Sequence, residues 1–377
     1  METTKPTILI LTALTGGGHL SLAMALQDIL SEDYETHIVD PQPGIFRQYY
    51  TFAGRHSSRL WGLGYKYSDN EKAALRLHKT LTLLVQQRLY RLTELIKPRL
   101  IITTHTLLSY EIAHVLVQQR ASTPLVFQFS ELEEVHATWL TVKNADAYLV
   151  PTREIFTQAR AQGINESRLH LTGMPVRRQF LEEYKTSRAE TLARLGLDSA
   201  VFTVFLQGGA EGAAGLASMV KSILSVASPV QIILAVGTNK QLAMRFSGIA
   251  RLRVLPFTQT IAPYMAAADV IIGKAGPNFI AEAMILEKPF LATSFIPGQE
   301  APNLTFLERH NLGWVCLEPI AQHHLLAKLA SDPAALAEKV NSIRVYRAWN
   351  MQANQGIYPV IAGLISRTSQ NLSTQPH

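Results

Sequence analysis

Short, continuously apolar runs alternate with longer segments of helical period along nearly the whole chain. Strands are expected at 7–13, 36–39, 100–104, 124–129, 147–150 and 168–172, and again at 201–207, 231–236, 252–256, 270–273, 289–293 and 314–317. Runs without polar alternation, separated by helix-length segments, predict parallel strands buried on both faces and hence an α/β fold. Each set opens with a strand and a glycine loop. In the first, Ile8–Leu11 read as the strand, Gly16-Gly17-Gly18 as a tight turn and Leu20–Leu30 as a helix; in the second the loop is FLQGGAEGAAG, 205–215. The expected architecture is therefore two doubly wound, Rossmann-like domains, about 1–176 and 177–345, divided after the LTGMPVRR turn. Such domains carry ligand sites at the carboxyl ends of their strands, here facing each other across a cleft. No short-period repeat, low-complexity tract or long flexible linker is visible.

With 377 residues, 47% of them hydrophobic, the chain can fill two cores and is not of disordered composition. The single cysteine, Cys316, excludes an internal disulfide and suits a reducing compartment. METTKPTILILTAL reads as a first strand rather than a signal peptide. No uncharged apolar stretch reaches the ~18 residues that span a bilayer, so a soluble or peripherally attached protein is expected. Charge adds a feature that hydrophobic patterning does not show. Residues 47–99 hold eleven Lys/Arg against three Asp/Glu, a local excess larger than the +6 of the whole chain.

The glycine loops carry the candidate chemistry. TGGGHLS lacks the G-x-G-x-x-G spacing of a dinucleotide site and the G-x-x-x-x-G-K-[ST] of a P-loop. Alone, it is equally a tight turn capped by histidine or a place where backbone meets ligand. GKAGPNFIAEAMILEKPFLATSFIPGQEAPN, 273–303, has the layout of a nucleotide-sugar site. A glycine/proline loop precedes a helix whose amides and dipole can meet a diphosphate. Glu282, about a turn inside, can accept two ribose hydroxyls, and Gln299, Glu300 and Asn303 suit sugar hydroxyls. Singly, each is also an ordinary solvated residue; the ordered series carries the reading.

The landmarks TGGGH (15–19), SELEEVHATW (130–139), LTGMPVR (171–177), GGAEG (208–212), KAGP (274–277), IAEA (280–283) and PGQE with Asn303 resemble, in order, those of the GT-B lipid glycosyltransferases. That family includes monogalactosyldiacylglycerol synthases and bacterial diacylglycerol glucosyltransferases. WGLGYKYSDN (61–70) resembles its acceptor-side segment, and 346–366 its closing helix, which packs back on the first domain. The resemblance implies inverting transfer of a hexose from UDP-galactose or UDP-glucose to diacylglycerol, with His19 as general base. It implies donor contacts from Gly208, Gly209, Glu211, Lys274, Ala275, Gly276, Pro277, Glu282, Gln299, Glu300 and Asn303. Acceptor contacts would come from Gly17, Gly18, Trp61, Glu131 and His136. No metal or other cofactor is required, since loop amides, a helix N-terminus and Lys274 can stabilise departing UDP. A different lipid acceptor, polyprenyl-linked or other, or a catalytically weak lipid- or nucleotide-binding relative, would share these landmarks.

The chain departs from the family pattern at four places. Glu131 replaces an aspartate, Leu20 a basic residue, Asn278-Phe279 a Gly-Thr pair, and Pro302 a glycine. Phe279 is expected to put bulk beside the diphosphate loop, and Pro302 to remove a backbone donor. Trp139 is expected to be structural or membrane-facing, and His136 to bind acceptor or sugar or simply to pack. An insoluble acceptor implies docking at the cytoplasmic face of a membrane. The basic segment fits an anionic surface, with aromatics at 46–67 meeting lipid and the helix 71–97 as a second contact. No nucleic-acid motif accompanies the charge.

Overall fold

The computed structural model describes residues 5–14, 17–44, 58–182, 186–207, 216–227, 229–332 and 334–373, without the side chains of 58–61 and 369–373. Two compact units result, one of Met1–Arg177, Pro297–Gln299 and Trp349–His377, the other of Arg178–Ile296 and Glu300–Ala348. In the first, β1 (Thr7–Leu11), β2 (Glu35–Val39), β3 (Leu100–Thr103), β4 (Leu125–Gln128), β5 (Ala147–Val150) and β6 (Leu169–Leu171) form one parallel sheet in the order β2-β1-β3-β4-β5-β6. In the second, β7 (Phe202–Gln207), β8 (Val230–Ala235), β9 (Leu252–Leu255), β10 (Val270–Lys274), β11 (Phe290–Ser294) and β12 (Gly313–Val315) take the order β12-β11-β10-β7-β8-β9, again all parallel. Chain order reverses between β1 and β3 in one sheet and between β7 and β10 in the other.

Apolar alternation sends successive side chains of a strand to opposite faces, and both faces are covered. Ile8 and Ile10 lie in a core with Ile357, Ile361 and Ile365, the four-residue stripe of the closing helix Ile357–Ser373. The same core takes Ala23, Leu26 and Leu30 of the helix Gly17–Leu30. Leu9 and Leu11 face the other way, into a core of Phe127, Phe129, Trp139 and Tyr148 closed by the helices Glu71–Ile96 and Ser109–Gln118. The Glu71–Ile96 helix starts where the Asn70 side chain accepts the Ala73 N–H, and stops at Lys97, left-handed ahead of Pro98. The closing segment is two helices rather than one, Ala334–Asn354 and Ile357–Ser373, interrupted at Gln355-Gly356.

The turn after β6 is gripped by the end of the Ala334–Asn354 helix. Gly173 sits at φ +71°, where a Cβ would lie 2.6 Å from the Asn350 Oδ1, so glycine is demanded both by conformation and by space. Asn350 accepts the Met174 N–H at 2.8 Å and donates to the Met174 carbonyl at 3.0 Å, and Asn354 donates to the Thr172 carbonyl at 2.6 Å. Met174 is wholly buried. Asn350→Ala therefore strands a buried N–H and a buried C=O. The variant should lose about 1–3 kcal/mol, read as a lower urea midpoint at unchanged m; an unchanged midpoint would mean the grip contributes nothing.

Candidate functional site

At the carboxyl edge of the first sheet, the loop leaving β1 enters the Gly17–Leu30 helix. Its approach is tethered by Asp40, whose carboxylate accepts the Leu14 N–H at 2.9 Å and the Gln42 N–H at 2.9 Å. Gly17 is exposed, and a Cβ there would meet no atom within 4 Å, so packing does not require glycine at that position. His19, half-buried in the first turn, places Nδ1 2.9 Å from the Thr104 carbonyl oxygen just beyond β3. A carbonyl can only accept, so Nδ1 carries the proton and the lone pair of the neutral ring falls on Nε2. Thr104 is itself fixed to β1: its N–H donates to the Leu11 carbonyl and its hydroxyl to the Thr12 hydroxyl, each at 2.9 Å.

Next to it lies a histidine that motif reading passed over. His105 is buried, its ring centroid 4.5 Å from that of His19 and edge-on to it. Its Nδ1 accepts the Leu107 N–H at 3.2 Å, opening the 3-10 turn Thr106–Leu108. Burial, and secondarily the neighbouring His19, hold its pKa well below the ordinary imidazole value, so it is uncharged. The only signal in the sequence is a polar Thr-Thr-His closing an apolar strand.

Glu131 and His136 are engaged inside the first unit. Glu131 accepts the Trp139 Nε1–H at 3.0 Å on one oxygen and the Ser130 N–H at 3.1 Å on the other, and burial pushes its carboxyl pKa up. Trp139 is fully buried, which corrects the membrane-facing alternative: an indole packed on Phe127 and Phe129, with its N–H satisfied, has no face left for lipid. His136 accepts the Thr138 N–H on Nδ1 and donates from Nε2 to the Tyr65 carbonyl at 3.1 Å, with the Tyr65 ring tilted against it at 4.1 Å between centroids. Burial lowers its pKa. It thus ties the Ser58–Ser68 helix to the 137–141 turn. Behind the turn, His78 joins Glu111 at 2.9 Å to the Thr138 carbonyl at 3.0 Å, all three interior. This pair was also beyond sequence reading, because its members lie 33 residues apart on two helices. Gly18 is exposed beside Gly17; the side chain of Trp61 lies outside the described residues.

At the edge of the second sheet, β10 ends in a bulge at Gly273-Lys274. A Cβ on Gly273 would meet the Gln207 carbonyl at 2.5 Å and the Phe279 ring at 2.9 Å. Phe279, expected beside the diphosphate loop, turns its ring onto the sheet, 5.3 Å from Phe290 and 6.4 Å from Phe205. Lys274, Ala275 and Gly276 lead into the helix Pro277–Ile285, whose first turn has no side-chain cap and begins with a proline. Gly276 offers no capping side chain, and the helix dipole favours an anion at this end. Glu282 is buried on this helix. Glu300 pairs with Lys274 through one oxygen and accepts the Ile296 N–H at 2.8 Å on the other. Asn303 donates to the Ala275 carbonyl at 2.8 Å. Both side chains thus hold the loop. Pro302 falls in the first turn of the Ala301–Arg309 helix, where an N–H has no intrahelical acceptor and its loss costs the helix nothing. Gln299, grouped with the first unit, has a buried amide oxygen with no hydrogen-bond partner among the described residues. Gly208, Gly209 and Glu211 lie outside the described residues.

Comparison with known proteins agrees with this layout. Residues 25–176 match the monogalactosyldiacylglycerol (MGDG) synthase family, and residues 203–334 match the glycosyltransferase family 28 C-terminal domain. The chloroplastic monogalactosyldiacylglycerol synthase of Spinacia oleracea is 28% identical over 330 residues, 81% of this chain and 62% of that protein. The chain thus spans a little over six tenths of that relative's length. Among solved structures, CalG4, the calicheamicin glycosyltransferase, superposes with a TM-score of 0.64 at 12% identity, covering 97% of this chain and 100% of that one. Anabaena Alr3699/HepE in complex with UDP and glucose gives 0.56 at 14% identity, covering 95% of this chain and 100% of that one. At such identities these likenesses establish the fold alone, which is that of the GT-B glycosyltransferases.

Proposed function

We propose that the chain is a member of the monogalactosyldiacylglycerol synthase family and that it transfers a hexose from a UDP-sugar to the free hydroxyl of 1,2-diacylglycerol, inverting the anomeric centre. The observation that carries this reading is the setting of His19. Its Nδ1–H is committed to the Thr104 carbonyl, so the basic nitrogen of the neutral ring is Nε2, at the carboxyl edge where α/β sheets bind ligands. Nε2 takes the acceptor's hydroxyl proton as that oxygen attacks C1 of the sugar. The exposed, side-chain-free backbone at Gly17-Gly18 leaves room for the acceptor beside it.

On the donor side, the amides opening the Pro277–Ile285 helix meet the diphosphate, and Glu282 accepts the ribose hydroxyls. Lys274, kept in place by Glu300, faces the charge that develops on departing UDP. Asn303 contributes by fixing the Ala275 carbonyl, and with it the course of the loop. His136 and Glu131 contribute by holding the turn and the helix on the acceptor side rather than by touching the lipid. This reading takes UDP-galactose or UDP-glucose as donor.

Membrane docking is supported by the surface of the first unit. Among the described residues no helix is long and apolar enough to cross a membrane. The Glu71–Ile96 helix nevertheless exposes Leu83, Leu84, Tyr90 and Leu95, with Leu83 72% and Leu95 82% accessible. The same outer side carries Lys72, Arg76, Lys79, Arg88 and Arg91. Apolar side chains among cations suit insertion at an anionic headgroup layer.

Product analysis with UDP-galactose and UDP-glucose in diacylglycerol mixed micelles tests the reaction. His19→Ala should lower turnover ~100- to 10,000-fold with UDP affinity unchanged. Near wild-type turnover would remove His19 from the role of base, and transfer only to a polyprenyl lipid would overturn the acceptor. Glu282→Ala should weaken UDP by about 1–3 kcal/mol in calorimetry, and an unchanged affinity would place it outside the site. Vesicle sedimentation tests docking. Binding should require anionic lipid and fall with salt, and replacing Arg76, Arg88 and Arg91 with Gln should weaken it. Leu83→Ser with Leu84→Ser should reduce the fraction that survives high salt; binding unchanged by either set would put the docking surface elsewhere.

A further inference from the structure

Within the first unit, a single three-residue segment meets His19 twice. The carbonyl of Thr104 takes its Nδ1–H, and the ring of the next residue, His105, packs edge-on against its imidazole at 4.5 Å. The segment is anchored independently of His19. Thr104 is bonded to β1 through both its amide and its hydroxyl, the Thr103 hydroxyl donates to the His105 carbonyl at 3.1 Å, and His105 caps its own turn through Nδ1. His105 is also more expensive to bury than a phenylalanine would be, since a neutral imidazole keeps two polar nitrogens. Capping the 106–108 turn needs only an oxygen or nitrogen acceptor, which asparagine or serine supplies at ordinary caps. A ring is needed for the contact with His19.

We propose that His105 is a positioning residue for His19: its buried ring is the wall that fixes the plane of the His19 imidazole, so that Nδ1–H stays on the Thr104 carbonyl and Nε2 stays aimed at the edge of the sheet. The proposal rests on the reading of His19 as general base. The bond to the Thr104 carbonyl holds one ring nitrogen, and the edge-on contact with His105 opposes rotation of the imidazole about that bond. A misplacement of about 1 Å can cost on the order of 100-fold in rate without touching the reacting atoms. His105 remains uncharged beside His19, in keeping with its burial, so the wall adds no competing positive charge to the base.

Two substitutions separate the ring from the cap. His105→Asn keeps an acceptor for the Leu107 N–H and removes the ring; His105→Phe keeps a ring against His19 and removes the acceptor. His105→Asn should lower kcat about 10- to 100-fold while KM for the UDP-sugar changes less than about twofold, and His105→Phe should recover most of that loss. The second readout needs no turnover. In protein with 15N-labelled histidine, His19 of the wild type should show the signature of protonated Nδ1 and bare Nε2. His105→Asn should shift that signature toward mixed tautomers, and His105→Phe should restore it. Unchanged kcat and an unchanged His19 signature in His105→Asn would overturn the proposal, as would equal losses in both variants. If His19→Ala retains turnover, the reading of His19 as base fails, and the tautomer signature still decides whether His105 positions its ring. If His19→Ala is inactive while His105→Asn turns over normally, only the positioning role falls.

Discussion

A parallel sheet covered on both faces by helices offers a ligand nothing but its edges, and this constraint places His19 and the Lys274–Pro277 segment. Along such an edge, successive loops pass to one face or the other, and they part only where the strand order reverses. In the first unit that point lies between β1 and β3, and in the second between β7 and β10. The loop after β1 carries His19 and the segment after β3 carries Thr104 and His105. The segment after β10 carries Lys274 through Pro277, and the loop after β7 is the second glycine loop. Glycine is useful at such points because backbone, not side chain, must come close to what binds.

Loops at an edge leave the ladder and must find other partners for their amides and carbonyls, or forfeit them to water. Here the partners come from short polar side chains at neighbouring strand and helix ends. Asp40, after β2, accepts the Leu14 amide; Thr104, after β3, donates to the Thr12 hydroxyl; Asn303 donates to the Ala275 carbonyl; Glu300 accepts the Ile296 amide and pairs with the Lys274 ammonium. Residues read as ligands for a sugar thus hold the loop on which a sugar nucleotide would rest. The distinction matters for interpreting variants. Replacing Asn303 or Glu300 perturbs the course of the loop backbone, so a loss of donor affinity in either does not identify a direct contact.

Hydrophobic runs made the architecture legible. Parallel strands buried on both faces are nearly continuous in Val, Ile and Leu, and each expected strand appears within a few residues of its place, from TILIL at 7–11 to GWV at 313–315. Motif order made the resemblance to the family legible, because glycines and prolines at fixed offsets reflect turns that tolerate little else. What remained hidden depends on distance in sequence. His78 and Glu111, or Asn350 and Met174, meet only after the chain has folded, and nothing in the local pattern of either partner announces the other. The same holds for side-chain direction: Phe279 is adjacent to the loop in sequence, yet it points into the aromatic packing of Phe205 and Phe290. Trp139 and Glu131 were visible as polar-aromatic landmarks, but not as a buried pair satisfying each other.

Three departures from the family pattern fall beside the candidate loops, Pro302 and Phe279 next to the Lys274–Pro277 segment and Glu131 in the first unit, and each is accommodated where it stands. A proline is damaging where it removes an amide that has an acceptor; Pro302 occupies a first helical turn, where no intrahelical acceptor exists. A phenylalanine is damaging where it blocks a ligand's approach; the ring of Phe279 closes over Gly273 and fills the space between β7, β10 and β11. A glutamate for an aspartate is damaging where reach matters to a substrate; Glu131 spends its extra methylene reaching the Trp139 indole, with the second oxygen on the Ser130 amide. These three changes are absorbed by what lies beside them, and the Pro277–Ile285 helix opens behind Gly276, which has no side chain to cap it. Substitutions that erode a site leave cavities or stranded polar groups at its edge; Pro302 and the Phe279 ring leave neither beside the Lys274–Pro277 segment, and Glu131, in the first unit, has both carboxylate oxygens hydrogen-bonded.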